Sequence, residues 1–185
     1  NTDTKILCEY VLRPYLRQMT GESFIIDSEK KMSFTREQLV EVLTYIKDCY
    51  DGGVFEPAED SATFKGQIHT NPKWMDGKFV FAYGPSSSIN LLMDAVPEAE
   101  CTVVQMPMAE NRVNDGFFAD TPQYMTVNKN SEHVEEAVDF LNYFYNNAEA
   151  QETLKDVRSI PPTSTARQLC ADKGLLNQTV VDAVD

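Results

Sequence analysis

The sequence predicts an α/β fold, because strand-length apolar runs alternate with amphipathic helices along the chain. Three such runs occupy residues 79–83, 101–106 and 124–127. Amphipathic helices are predicted both before the first run and after the last. The 185 residues, of which 42% are hydrophobic, suffice for one full domain or for two small lobes.

The first predicted element is a helix over residues 4–19. Its apolar side chains fall near helical spacing and are Ile6, Leu7, Val11, Leu12 and Leu16. Pro14 should bend or interrupt the helix, and Gly21 lies where a C-terminal cap belongs. Residues 24–26 then form either a buried strand or an apolar turn.

A second helix is predicted to begin after Thr35, which can form a reciprocal capping box with Gln38. It should end at Gly52 and Gly53, since glycine readily adopts the left-handed conformation that stops a helix. The expected buried face consists of Leu39, Val40, Leu43, Ile46 and Tyr50. Residues 54–70 are predicted to be irregular, with Glu56, Glu59 and Asp60 on a solvated face.

The middle of the chain predicts a strand, a turn and a helix. The strand at residues 79–83 ends at Gly84, and serines 86–88 can cap a helix over residues 89–95. The second predicted strand, residues 101–106, is followed by a polar loop and then by the third, residues 124–127.

The clearest helical pattern lies in residues 134–145, after Asn130 or Ser131 as a cap. Its apolar face, which must pack on other structure, consists of Val134, Ala137, Val138, Leu141, Phe144 and Tyr145. Shorter helices are predicted over residues 148–155 and 164–172, the latter stopped by Gly174.

Charge and hydropathy exclude some classes of partner. The formal net charge is −13, and so acidic a protein repels the phosphates of nucleic acid. No apolar run approaches the roughly 20 residues that span a bilayer. The N-terminal residues lack a basic region followed by an apolar one, so we expect any export signal to have been removed or to lie outside this sequence.

Catalytic and metal-binding patterns are weak. His69 has no nearby serine, cysteine or carboxylate pattern that would activate a nucleophile, and His133 is expected to be a solvated residue in the first turn of a helix, so no turnover is expected. The cysteines, at positions 8, 49, 101 and 170, lack zinc-ligand spacing. Four buried thiols are the favoured interpretation, and one or two disulfides remain open if the protein is exported. Neither a metal nor a cofactor is expected.

Residues 74–84, which read WMDGKFVFAYG, place an aromatic residue and a Gly-Lys pair before an apolar strand that ends in glycine. This arrangement resembles the family 1 extracellular solute-binding proteins of ABC importers. Further landmarks of that family follow in the same order. They are the YDGG sequence at 50–53, VVQMP at 103–107, DGFF at 115–118, VNKNS at 127–131, AVDFL at 137–141 and RSIPP at 158–162.

The resemblance implies the later portion of a two-lobed periplasmic-binding-protein type II fold. Residues 1–114 would be α/β material of the C-terminal lobe, and residues 115–123 would be a crossover between lobes. Residues 124–185 would return to an N-terminal lobe whose earlier portion is absent from this sequence.

The resemblance also places the ligand in the cleft between the lobes. The strand end would contribute Tyr83, Gly84, Ser86 and Ser87. Sugar-binding members often place a tryptophan near this turn, whereas the two serines here could bond hydroxyl groups, hold an anionic group with the helix-start amides, or simply cap the helix.

The crossover would contribute Gly116, Phe117 and Phe118, and its phenylalanines would either form an apolar platform for the ligand or pack within the crossover. Trp74 is expected to be a core residue.

The implied function is that of a non-catalytic receptor for a carbohydrate or similar small polar solute, which it delivers to an ABC permease in the membrane. The implied location is extracellular or periplasmic, with a lipid anchor in the parent protein. The alternative is a non-catalytic α/β interaction or regulatory domain without a ligand pocket.

Overall fold

A computed structural model describes residues 3–26, 28–117, 124–157 and 159–184. The chain forms two compact units. The first contains the described residues of 1–84, 95–97 and 104–119, and the second those of 85–94, 98–103 and 120–185. The described residues are 51% helical and contain few strands, which is consistent with part of an α/β lobe.

The first unit opens with the predicted helix, which has three parts. They are α1 (Thr4–Leu7), a π-helical segment (Cys8–Leu12) and α2 (Arg13–Thr20). Pro14 lies in the first turn of α2, where a residue without a backbone N–H is tolerated. Gly21 has a φ of 76° and ends the helix as predicted, its N–H donating to Arg17.

Two very short strands follow, β1 (Ile25–Ile26) and β2 (Lys31–Met32), paired antiparallel. The strand alternative for residues 24–26 is therefore confirmed. Its burial is not, because Ile25 is half exposed.

The second helix of the pattern, α3 (Arg36–Asp51), has the predicted capping box between Thr35 and Gln38. Its predicted buried face is wrong at Val40 and Leu43, which are half exposed, whereas Val42 is fully buried. The reason is that α2 packs on one side of a broad apolar stripe. The resulting core cluster contains Leu16, Met19 and Val42, with Leu39 and Ile46 packed against it.

Residues 54–70 are more regular than predicted, and a further short helix follows them at residues 72–75. The elements are α4 (Ala58–Ala62), a 3-10 turn (Ile68–Thr70) and α5 (Pro72–Met75). The expectation that Glu56 is solvated is wrong, because its side chain is buried. Its carboxylate accepts hydrogen bonds from Ser61 at 2.8 Å and from Asn71 at 3.3 Å.

Lys73 completes the surroundings of Glu56. Its Nζ lies 2.9 Å from a Glu56 carboxylate oxygen and 2.9 Å from one of Asp60. Burial alone would raise the pKa of Glu56, but the hydrogen bonds from Lys73, Ser61 and Asn71 outweigh it and lower that pKa.

The three predicted strands do not form. Residues 79–83, 101–106 and 124–127 form neither a helix nor a strand ladder, and Val80 is 81% exposed. A strand requires a neighbour to pair its N–H and C=O groups. Within the described residues the named strands form only the β1–β2 pair, so no neighbour is available to these segments.

The second unit is helical. A 3-10 turn (Ser86–Ser88) runs directly into α6 (Ile89–Asp94). The later helices are α7 (Val134–Asn146), α8 (Ala148–Leu154), α9 (Ser164–Asp172) and α10 (Gln178–Asp182). The apolar core of this unit consists of Ala150, Ala166, Cys170 and Val180.

The strongly patterned helix α7 begins later than predicted. Its N-cap residue is His133, and neither Asn130 nor Ser131 caps it. Ser131 instead accepts a hydrogen bond from the His133 N–H at 3.1 Å. None of the residues of α7 is buried.

Candidate functional site

Tyr83, a predicted ligand contact, lies in the first unit at the edge of a small cavity. Three further tyrosines line the same cavity, together with Gln18 and the backbone turn at Pro107. These tyrosines are Tyr10, Tyr15 and Tyr45. The cavity volume is about 20 Å³, which accommodates one water molecule and no sugar ring. The phenol groups that rim it are the part that a ligand could contact.

The tyrosine hydroxyls are held in their neutral form. Burial raises the pKa of Tyr83, and the adjacent Cys49 thiol raises it further. The pKa of Tyr45 is raised by burial and then by Cys49 and Tyr83. Burial likewise raises the pKa of Tyr10 and Tyr15. A neutral phenol can donate as well as accept a hydrogen bond, and the Tyr15 hydroxyl already donates to the Glu41 carboxylate at 3.4 Å.

The segment predicted to be a crossover, residues 115–123, contains Gly116, which is buried with a φ of 79°. Phe117 follows it and is half exposed, with its N–H donating to the Asp115 side chain at 2.9 Å. A half-exposed ring of this kind is available for stacking. Phe118 lies outside the described residues. Gly84, the fourth predicted residue in the first unit, is exposed.

Ser86 and Ser87 belong to the second unit and are partly buried. The Ser86 hydroxyl lies 2.7 Å from that of Ser159. The prediction that the serines cap a helix is wrong, because the helix is preceded by a 3-10 turn without a side-chain cap. Ser88 instead donates to the carbonyl of Pro85 at 2.8 Å.

The second unit also contains a groove of about 420 Å³ that sequence reasoning missed. Three polar residues in its wall form a network. Asn177 donates its N–H to the Asp156 carboxylate at 2.5 Å and its side-chain amide to Asn90 at 3.2 Å. Asn90 in turn donates to the Asp156 carbonyl at 3.0 Å. These residues are 21 to 87 positions apart, so no local pattern announces them.

The four cysteines are free thiols. Cys49 and Cys170 are buried as expected, whereas the expectation is wrong for exposed Cys8 and for partly exposed Cys101. Burial raises the pKa of Cys170, and the nearby carboxylates of Asp156 and Glu152 add to that effect.

The described residues contain neither a candidate metal cluster nor a helix that could span a membrane. No group of three or more histidine, cysteine or acidic residues in the described ranges could hold a metal ion. None of the helices in those ranges combines the length and apolar character needed to cross a bilayer.

The family comparison is decisive for the class of protein. The family described as bacterial extracellular solute-binding protein matches residues 16–175 of the chain. The chain belongs to this family. The resemblance noted from residues 74–84 and the landmarks around them is thereby confirmed.

Solved structures of solute-binding proteins share the fold. An oligogalacturonide-binding protein from Yersinia enterocolitica, solved with saturated digalacturonic acid, has a TM-score of 0.83 and 24% identity over 95% of this chain and 44% of its own. A periplasmic solute-binding protein from Pectobacterium atrosepticum has a TM-score of 0.78 and 19% identity over 92% of this chain and 43% of its own.

A third similar structure is a de novo designed cysteine esterase, with a TM-score of 0.72 and 24% identity over 95% of this chain and 44% of its own. This solute-binding protein chain therefore spans less than half the length of the solved structures that it matches. No curated protein matches the chain closely enough to inform its function.

In a solute-binding protein, the tyrosines of the first unit are candidate ligand contacts. Tyrosine offers a flat apolar face and a hydroxyl, which suit the faces and hydroxyl groups of a sugar. The sequence identified Tyr83 but missed Tyr10, Tyr15 and Tyr45, because these come from two other helical stretches. The available signal was a tyrosine content of eight in 185 residues, which does not say which rings meet.

Proposed function

We propose that the parent protein is the solute-binding component of an ABC importer and binds a sugar or oligosaccharide in the cleft between its two lobes. The family match over residues 16–175 carries this proposal. The similar protein from Yersinia enterocolitica, solved with a digalacturonic acid, supports a carbohydrate as the solute. The proposed contacts are Tyr83, Gly84, Ser86, Ser87, Gly116, Phe117 and Phe118.

The chemistry around Tyr83 favours an uncharged sugar. Among the described residues its cavity is lined by tyrosines, Gln18 and apolar side chains, and by no lysine or arginine. A digalacturonate carries two carboxylates, which are most strongly recognised by arginine or lysine. On a chain of net charge −13, neutral hydroxyl groups are the better match for neutral phenols.

We also propose that residues 1–114 belong to the C-terminal lobe, residues 115–123 to the crossover and residues 124–185 to the segment that returns to the other lobe. Val80 and Phe81 are exposed apolar residues of the predicted strand at residues 79–83. Their exposure supports the view that a neighbouring strand is missing from this chain. So does the exposure of Val138 and Phe140 on α7. The similar solved proteins are more than twice as long.

In this role the protein delivers its solute to a permease from outside the cytoplasmic membrane, held there by a lipid anchor, and has no catalytic turnover. The gene sequence upstream of Asn1 tests the location. A signal peptide ending at a lipid-attachment cysteine is expected. An upstream region that encodes neither would contradict the anchored location.

The binding test is calorimetric titration of the full-length parent with maltose, cellobiose and saturated digalacturonate. Replacing Phe117 or Phe118 by alanine should weaken binding of the bound sugar by ten- to a hundredfold, judging from the burial value of an aromatic side chain. Tyr83→Phe and Ser86→Ala should each weaken it by up to tenfold through one lost hydrogen bond.

Phe140→Ala is the control for loss of an aromatic side chain, since Phe140 lies on α7 outside the proposed contacts. It should leave the affinity unchanged. If a sugar binds and none of the four contact variants weakens it, the site is wrong. If no sugar binds, the interaction-domain alternative replaces the receptor.

A further inference from the structure

Gln18 is a buried side chain of the first unit with several hydrogen bonds. It lies in α2, is 1% exposed, and directs its carboxamide at the segment 107–115. Its Nε2 donates to the carbonyls of Pro107 at 3.0 Å and Asp115 at 3.1 Å. Its Oε1 accepts from the N–H of Ala109 at 2.8 Å. Both amide protons and the carbonyl oxygen are therefore used within one segment.

The backbone of the same helix adds to this attachment. The carbonyl of Gln18 accepts a hydrogen bond from the N–H of Val113 at 2.6 Å. One residue of α2 thus holds Pro107, Ala109, Val113 and Asp115. A neighbouring residue in the helix could not replace it, because helical side chains one position apart face different directions.

Gly116 allows the segment to approach α2 this closely. A Cβ at this position would lie 2.5 Å from the Pro14 carbonyl oxygen and 2.7 Å from Cγ of Gln18. Its φ of 79° is also one that side chains rarely permit. Gln18 and Gly116 therefore form one docking point. Here the segment 107–116 lies against α2, and the chain then continues into Phe117.

Gln18 also lines the tyrosine cavity together with Tyr83. A single side chain thus connects the two stretches of the first unit in which ligand contacts are proposed, Tyr83 on one side and Gly116–Phe117 on the other. We propose that Gln18 is a positioning residue, which fixes Phe117 relative to Tyr83 and so sets the affinity for the solute. This inference rests on the proposed function for its effect on the solute.

The structural part of the inference is tested on the 185-residue chain without any solute. Gln18→Met keeps the size of the side chain and removes all the carboxamide bonds. Hydrogen exchange followed by mass spectrometry should show at least tenfold faster exchange for residues 107–117, and no such change within α3. Unchanged exchange at Ala109 and Val113 would overturn the docking point.

The effect on the solute is tested on the full-length parent with maltose, cellobiose and saturated digalacturonate. Gln18→Met should weaken the sugar that binds by about tenfold. Gln18→Asn keeps a carboxamide but is one methylene shorter, so it loses only part of the bonding to Pro107, Ala109 and Asp115 and should give a smaller loss. It also serves as a second variant if Gln18→Met does not fold.

Gln151→Met is the matched control. Gln151 is a glutamine of the second unit with 3% exposure, and its side chain donates to the carbonyl of Phe144 at 2.6 Å. It should lower stability without changing sugar affinity. Equal losses of affinity in Gln18→Met and Gln151→Met would overturn the positioning role. A parent that binds none of the sugars overturns the proposed function and the solute part of this inference, whereas the exchange result still decides on the docking point.

Discussion

Helices α3 and α7 have similar sequence patterns and different surroundings. Both are amphipathic, with 16 and 13 residues. In the first unit, α3 buries Val42 completely against Leu16 and Met19. In the second unit, α7 has the more regular apolar face and buries none of its residues. The difference shows that periodicity predicts a helix and its apolar side, but not whether anything covers that side.

The same conclusion applies to the predicted strands. Residues 79–83 have the composition of a buried strand, yet Val80 and Phe81 are exposed. We interpret these segments and the face of α7 as surfaces that the rest of the parent protein covers. The predictions below test the contrast between the two units, starting with the largest expected effect.

The first prediction uses the same substitution on the two helices. Val42→Ala should lower the free energy of unfolding by about 2 kcal/mol, because it removes two buried methyl groups and leaves a cavity. Val138→Ala, at a side chain that is 51% exposed, should cost less than about 0.5 kcal/mol. Urea denaturation of the 185-residue chain measures both. Equal costs would contradict the contrast between α3 and α7.

The second prediction concerns the buried carboxylate of the first unit. Glu56→Gln should lower the free energy of unfolding by about 1.5 kcal/mol, since an amide cannot accept the hydrogen bonds of Lys73, Ser61 and Asn71 as the carboxylate does. Glu59→Gln is the control, an identical change at an exposed position of α4. It should cost less than about 0.5 kcal/mol. Denaturant titration at neutral pH compares the two.

The third prediction is the pH dependence of that difference. The folded pKa of Glu56 is lowered, whereas an unfolded glutamate titrates near about 4.3. The unfolded state therefore takes up the proton first as the pH falls. The stabilisation by Glu56 is complete above the unfolded pKa and is lost as the pH falls through the folded pKa. The difference in free energy of unfolding between wild type and Glu56→Gln should decrease from about pH 6 to about pH 3. A difference that stays constant over this range would contradict the prediction.

The smallest effect is expected in the second unit, at Ser86. Its hydroxyl makes one bond, to Ser159. Ser86→Ala should lower the free energy of unfolding by about 0.5 to 1 kcal/mol. Thermal unfolding with Ser88→Ala as a companion variant measures it, because Ser88 also makes one local hydrogen bond. If Ser86→Ala lowered the free energy of unfolding by more than Glu56→Gln does, the expected ranking of the two substitutions would be wrong.

Sequence reasoning succeeded where structure is local. The capping box of Thr35 and Gln38 spans three residues, and Gly21 ends the helix that precedes it. It failed where burial depends on distant residues. The partners of Glu56 lie up to 17 positions away, and the choice of Val42 over Val40 depends on where α2 packs.

The same distinction between local and distant partners applies to the candidate site. Tyr83 and Gly116 could be proposed because a resemblance placed them at a strand end and a crossover. Gln18 could not, because its hydrogen-bond partners are 89 to 97 positions away in the chain. A glutamine in an amphipathic helix has no local feature that distinguishes a buried side chain from a solvated one.

The amide network of the second unit has a consequence for expression in eukaryotic hosts. Asn177, Gln178 and Thr179 form an N-glycosylation sequon. The Asn177 side-chain nitrogen that would carry the glycan donates a hydrogen bond to Asn90, and the backbone N–H of Asn177 donates to the Asp156 carboxylate. An oligosaccharyltransferase can therefore modify it only before this unit folds. A glycan attached at that stage would place a bulky sugar on a partly buried nitrogen beside Asn90. Secretion through such a host should therefore yield protein with an incompletely formed second unit.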